Sequence, residues 1–360
     1  MGKRNKVTTR DIAEHLGLSQ STVSMILSNR KNVSFSEETI EKVKATAKEL
    51  GYKRTVRRPA KGQSPLAQSL IVLSPSLSNV YYCIITQAIT ERAKEYGYTV
   101  FNVTTLRDVE QETLYLNILS EFELAGIISL YPPAKMKEAN LLSKKIPIVS
   151  IGDKPEMCQF DSIELDSKKP GYMIGEHLIS LGHTHITYIT TPLQAKEIGR
   201  VHRLEGLQTS FKNHGLPIDQ IEIRTSSAVA YRKYPLQNSD YLNGYAQASK
   251  ALEEQTKSTA FVGNNDMTAF GIMAALSDHG CRIPHDYSVC GFDNIPLAAM
   301  PQISLTTIEH ASTYKGQEAV DIIYRKNTQK KNDSGYHYIM RMEYQPELII
   351  RKSTGKCRNA

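Results

Sequence analysis

Val7 to Leu27 read VTTRDIAEHLGLSQSTVSMIL, and this order of capping, apolar and turn residues predicts two short helices joined at a tight corner. Thr8 or Thr9 can cap a first helix whose apolar positions Ile12, Ala13 and Leu16 form one stripe. Gly17 ends it with the left-handed backbone a turn requires, Leu18 tucks under, and Ser19 can accept a free N–H of a second helix, Gln20 to about Ser28. That helix buries Val23, Ile26 and Leu27. Its other face offers Gln20, Ser21, Thr22, Ser24 and Met25, with Arg30 and Lys31 just beyond, a surface suited to a groove. A third helix opens at Ser36, with Glu37 and Glu38 opposing the helix dipole and Phe35 and Ile40 spaced as a hydrophobic staple; Ile40, Val43, Ala47 and Leu50 face inward and Gly51 stops it. Any corner of two helices could share this pattern, so the charge around it matters.

Of 44 Lys+Arg and 37 Asp+Glu in the 360 residues, 14 basic and 6 acidic residues fall within 1–62, leaving 30 and 31 beyond. The formal excess of +7 therefore lies entirely in the first sixth of the chain. A basic head on a nearly neutral body is the footprint of a nucleic-acid-binding unit, although a solvated lysine-rich surface gives the same balance. The chain is long enough for two or three folding units, and 40% hydrophobic with 22% charged residues excludes a wholly disordered protein. Cys83, Cys158, Cys281, Cys290 and Cys357 are odd in number, far apart and form no C-x-x-C pair, which fits a reduced compartment. No apolar run approaches the roughly 20 residues of a membrane span. The basic start runs directly into Thr8-Thr9-Arg10-Asp11 without a secretory apolar stretch. These features predict a cytoplasmic protein with no membrane partner.

From Ser69 onward, short apolar runs alternate with helical patterns: Leu70–Leu73, Thr99–Val103, Gly126–Leu130, Ile146–Ile151, Ile186–Ile189, Ile221–Arg224, Ala260–Gly263 and Ser288–Phe292. Such alternation predicts an α/β fold of parallel sheets covered by helices, with ligands bound beyond the carboxyl ends of the strands. Those ends carry Ser74-Pro75-Ser76, Asp153, Asn264-Asn265-Asp266 and Asp293-Asn294. His177, His183 and His185 could suggest a metal, but a helix ending at Gly182 and a following strand account for two of them, so no metal is expected. No G-x-S-x-G, Walker A, H-E-x-x-H or strand-linked G-x-G-x-x-G occurs, and no enzyme activity or cofactor is expected.

Val7 to Leu27, with Ser36-Glu37-Glu38-Thr39 through Leu50-Gly51-Tyr52, closely resembles the DNA-binding head of the lactose-repressor (LacI/GalR) family. The resemblance continues through Gly182-His183, Arg203-Leu204-Glu205-Gly206, GNNDMTAFG at Gly263–Gly271, SVCGFDN at Ser288–Asn294, and on to Thr354. It implies a small all-α helix-turn-helix head (1–52), a basic linker (53–68), and a two-lobed periplasmic-binding-protein-like body (69–354) ahead of a tail (355–360). Lobe one is expected over about 69–164 and 309–336, lobe two over 165–308 and 337–354.

By the same resemblance Gln20, Ser21 and Met25 occupy base-reading positions, while Thr8, Ser19, Thr22 and Ser24 occupy phosphate-contacting ones. Arg203, Asn265 and Asp293 resemble residues that hydrogen-bond a sugar's hydroxyls, with Asp153 a fourth from the other lobe. Without any Trp, an aromatic wall falls to Tyr81, Tyr82, Tyr241 or Phe270. Asp293 as a helix cap and Asn265 as a turn residue remain structural alternatives.

Three departures stand out. Met25 replaces the family's usual Arg, removing a bidentate guanine contact and favouring a thymine methyl. Arg30 to Ser34 contain two residues more than the common loop. In the linker, Pro59 interrupts the family's hinge helix and Lys61 replaces its minor-groove Leu, so Arg57 and Arg58 are expected to grip phosphates instead. The function implied is a transcriptional regulator, a repressor in most of the family, acting as a homodimer on a pseudo-palindromic double-stranded operator under control of a sugar or sugar-derived effector. A periplasmic-type binding protein without DNA function is the alternative. Dimer contacts are placed on Ile84, Ile85 and Ile89, which a monomer core would equally explain.

Overall fold

Three helices pack around Ile12, Ala13, Val23, Ile26, Val43 and Ala47 in the first unit. α1 (Thr9–Leu16) is capped by Thr8, whose hydroxyl accepts from the Asp11 N–H while the Asp11 carboxylate accepts from the Thr8 N–H at 2.6 Å. Gly17, at φ 64°, turns the chain, and α2 (Gln20–Leu27) and α3 (Glu37–Glu49) follow. Ser36 caps α3 through the Thr39 N–H, and Phe35 and Ile40 both pack on the core. The computed structural model describes residues 7–27, 35–50, 52, 66–153, 157–192, 198–231, 233–234, 238–329 and 338–358. Arg30–Ser34, Gly51, Arg57, Arg58, Pro59 and Lys61 lie outside the described residues. The chain divides into two compact units between Pro65 and Leu66.

The second unit holds two parallel sheets. The first has the order β2-β1-β3-β4-β5-β11, formed by β1 (Ser69–Ser74), β2 (Thr99–Thr104), β3 (Gly126–Ser129), β4 (Ile148–Asp153), β5 (Asp161–Leu165) and β11 (Arg341–Glu343). The second has the order β7-β6-β8-β9, formed by β6 (Ile186–Ile189), β7 (Ile221–Arg224), β8 (Ala260–Gly263) and β9 (Ser288–Cys290). An antiparallel pair, β10 (Thr307–Glu309) and β12 (Glu347–Ile349), lies beside them. Helices α4 (Val80–Glu95), α5 (Val109–Leu119), α6 (Met136–Ser143) and α12 (Ser312–Gln329) serve the first sheet. Helices α7 (Lys168–Ser180), α8 (Ile198–Asn213), α9 (Ala228–Tyr231), α10 (Ser239–Glu253) and α11 (Asp266–Asp278) belong to the second lobe. Both faces of each sheet are covered, which is why β1, β3, β6 and β8 are continuously buried.

Three sequence expectations are corrected. Residues 341–343 pair with Ser162–Glu164 and so join the first sheet, not the second lobe where the 337–354 boundary put them. β5, DSIEL, went unanticipated because its buried carboxylates break the apolar pattern; Met340 donates to Asp161 and Arg341 to Glu164 there. Ile85 and Ile89 are fully buried in the first lobe's own core, beneath α12, so neither is available to a second subunit.

Helix pairing in the second lobe depends on glycine. A methyl on Gly171 of α7 would overlap the Arg203 carbonyl oxygen of α8, and one on Gly206 of α8 would overlap that of Lys168. Gly244 of α10 and Gly271 of α11 stand in the same relation to Thr268 and Tyr241. Overpacking of this kind costs about 1–3 kcal/mol. Gly206→Ala should therefore lower the full chain's stability in urea unfolding by about that amount, and an unchanged midpoint would contradict this packing.

Candidate functional site

In the head, α2 leaves Gln20, Ser21 and Ser24 exposed and Met25 and Thr22 half-buried, while Val23 and Ile26 face the core. Ser19 accepts the Thr22 N–H at 3.1 Å and shares hydroxyl bonds with Ser21 and Thr22. Gln20 Nε2 donates to Thr9 Oγ1 at 3.3 Å, which lays its amide toward the start of α1. Thr8, Ser19, Gln20 and Ser21 thus gather where two helices begin, and helix N-termini favour anions.

The body contains a cavity of about 570 Å³ lined from both lobes, within the size range of small-ligand sites. Every strand that contributes does so at its carboxyl end. Asp153, Arg203, Asn265, Asp293 and Tyr81 all line it, as does Tyr82. Tyr241 and Phe270 do not: they line a separate groove with Met273, Pro301 and Ile303 on the second lobe.

Arg203 is the centre of the second-lobe wall. One terminal nitrogen donates to the Asn264 carbonyl, the other to Asp293 Oδ1 at 3.4 Å, and the guanidinium lies 4.6 Å from the centre of the Phe292 ring. Its Nε is buried without a partner among the described residues. Asp293 does not cap a helix. It sits at φ 112°, a strained backbone for a residue with a side chain, held there by its N–H to the Ile308 carbonyl. Burial raises the Asp293 carboxyl above the usual range, and Arg203 opposes that rise.

Two expected ligand contacts are already engaged. Asn265 caps α11, its Oδ1 accepting from Thr268 N–H at 2.8 Å, and its amide donates to Asp240 at 2.7 Å, so the structural role applies even though the residue faces the cavity. Asp153, at the end of β4, accepts from the backbone N–H and the hydroxyl of Ser167 at 3.2 and 3.1 Å. It is thereby a contact between the lobes.

The sequence missed the first-lobe wall. Glu112 of α5 is buried; Oε1 accepts the Lys135 N–H at 3.1 Å, and Oε2 has no partner among the described residues. Arg107 donates to the Tyr82 hydroxyl at 3.1 Å and lies over the Tyr131 ring, whose hydroxyl donates to Thr105 at 2.7 Å. Tyr131-Pro132-Pro133 begin one residue past the end of β3, so the strand-exit rule could have found them. Glu112, inside a helix, carried no such signal. The buried His183 ring is held by Thr259, Ser288 and the Gly355 carbonyl, and burial lowers its pKa.

Residues 8–55 match the bacterial regulatory proteins of the lacI family, and residues 176–354 match the periplasmic binding protein-like domain. The HTH-type transcriptional regulator DegA of Bacillus subtilis is 28% identical over 353 residues, covering 97% of this chain and 98% of that protein. The Lac repressor bound to ONPG superposes with a TM-score of 0.66 at 25% identity, over 97% of this chain and all of that one. A LacI family regulator from Enterococcus faecium with bound ribose gives 0.67 at 22% identity, over 81% of this chain and all of that one. The chain thus carries a lacI-family DNA-binding head and a periplasmic-binding-protein-like domain, the two parts of the lacI-family transcriptional regulators that it resembles over nearly its whole length.

Proposed function

We propose that this protein is a cytoplasmic homodimeric repressor that binds a pseudo-palindromic operator and responds to a sugar or sugar derivative held between its lobes. The observation that carries the sugar reading is a pair of carboxylates on opposite cavity walls: Asp293, beside Arg203, and Glu112, whose Oε2 lacks a partner among the described residues. Carboxylates accept from hydroxyl groups, and Tyr81, Tyr82 and Tyr131 supply ring surface between them. The ribose-bound relative of the same fold supports that chemistry. The groove formed by Tyr241, Phe270 and Pro301 offers apolar surface for a second copy of the chain. Two heads would then read half-sites about one helical turn, roughly 34 Å, apart.

Effector contact rests on Asp293, Arg203, Tyr81 and Glu112, with Asp153 and Asn265 shaping the walls. Base reading rests on Gln20, Ser21 and Met25, and phosphate contact on Thr8, Ser19, Thr22, Ser24, Arg57 and Arg58. Thermal-shift screening against pentoses, hexoses, disaccharides, sugar phosphates and nucleobases identifies the effector, since a ligand that prefers the folded state raises its melting temperature. A hydrogen bond to a charged group contributes about 1.5–3 kcal/mol, so Asp293→Ala and Glu112→Ala should each weaken the identified ligand at least tenfold. A full shift retained in both folded variants would reject this cleft as the effector site.

DNA binding separates in the same way. Gln20→Ala should relax sequence discrimination by about 1–3 kcal/mol, measured as the ratio of operator to random-duplex affinity. The double change Arg57→Ala, Arg58→Ala should instead reduce the slope of log affinity against log salt by about 2 while leaving that ratio intact. An unaltered slope would remove the linker from the phosphate contacts.

A further inference from the structure

Lys315, in the first turn of α12, is fully buried, and its Nζ finds no hydrogen-bond partner among the described residues. Lysine is seldom fully buried unless paired, because its ammonium is strongly hydrated. The next residue, Gly316, lies against the Ile85 carbonyl and Ala88 of α4, and the two-pronged Arg92–Asp321 pair at 2.6 and 2.9 Å ties the same two helices further along. Helical side chains lean toward the helix N-terminus, which here is the segment leading from β10 to α12.

The charged groups acting on Lys315 come from several elements. Glu309 of β10, Asp153 of β4 and Asp293 beyond β9 attract a proton to it, while Arg203 of α8 repels one. His310, almost fully buried, meets residues of both lobes: Arg203 approaches its Nε2 at 3.5 Å, Asp293 Oδ1 lies 3.8 Å from the same atom, and Tyr81 of α4 lies edge-on with ring centres 6.3 Å apart. Burial, reinforced by Arg203 and Lys315, keeps the His310 pKa well below its ordinary value. The cluster thus joins the first lobe (Tyr81, Asp153, Lys315), the second (Arg203, Asp293) and the connection between them (Glu309, His310). Asp153 is itself bonded to Ser167 across the lobes.

We propose that Lys315 is a proton-operated wedge beside the connection between the lobes: neutral, it lets the lobes stay joined, and protonated, it draws in water and drives them apart. An ammonium held away from water gains more from hydration than a neutral amine does, and His310, five residues before Lys315, touches Tyr81 of one lobe and Arg203 of the other, so a movement that parts the lobes disturbs the groups around the amine. The device does not depend on which effector the cleft takes.

Its sign follows from linkage. Burial pulls the Lys315 pKa down from 10.5 to about 7, with Glu309 and Asp153 opposing the fall. The joined state therefore binds fewer protons between those limits than any state in which the amine is hydrated. Acid favours opening, and the joined state gains stability as pH rises from about 7. Asp293, raised by burial, acts in the opposite sense on the acid side of this window.

Small-angle scattering of the full chain, with no small molecule added, tests this at pH 6.5 and pH 9 and constant ionic strength. The radius of gyration of the wild type should fall as pH rises, whereas Lys315→Met should give one compact value at both. Should Lys315→Met not fold, Lys315→Arg, which keeps its proton throughout, should stay expanded at both. A wild type whose radius ignores pH, a folded Met variant that follows the wild type, or an Arg variant that contracts would overturn the proposal.

Discussion

The second lobe can present a ligand wall because two pairs of helices approach closer than any side chain permits. Gly171 and Gly206 let α7 and α8 touch backbone to backbone, and Gly244 and Gly271 do the same for α10 and α11. The first crossing places Arg203 at the mouth of the second sheet, since the carbonyl that Gly171 accommodates is Arg203's own. The second crossing fixes the start of α11, where Asn265 and Asp266 lie. Close packing transmits small displacements instead of absorbing them, so the position of the cavity wall is inherited from these contacts.

Around the cavity, most polar groups satisfy one another before any ligand arrives. Asn265 is spent on a cap and on Asp240, Asp153 on Ser167, and Arg107 on Tyr82. The exceptions are informative because a buried polar atom without a partner is costly. Among the described residues, Glu112 Oε2 and Arg203 Nε lack partners beside the cavity, and Lys315 Nζ lacks one near the connection between the lobes. Asp293 adds a strained backbone at φ 112°. Unpaired atoms and strain accumulate where the fold would be stabler without them, which is how a binding site or a switch departs from a stability optimum.

The head follows the opposite economy. Its helices are short, its core is six buried residues with partly buried neighbours, and local devices determine its geometry: the Thr8–Asp11 capping box, the left-handed Gly17 and the Ser19 and Ser36 caps. Because each device acts within a few residues, each is visible in sequence order. The same locality made Gln20, Ser21 and Ser24 recognisable as the outward face of α2.

Sequence alone determined what depends on near neighbours: the three head helices, the alternation that produces parallel sheets, and the polar strand exits carrying Asp153, Asn265 and Asp293. Tertiary structure decided what depends on residues distant in the chain. It alone sent Arg341–Glu343 to the first sheet, turned Ile85 and Ile89 inward, removed Tyr241 and Phe270 from the cleft, and brought Glu112 into it. It also showed which exit residues have polar atoms left over, and that Lys315 is buried with no partner among the described residues. The physical reason is that capping and periodicity are short-range properties of the backbone, whereas burial and hydrogen-bond satisfaction belong to a side chain's whole surroundings.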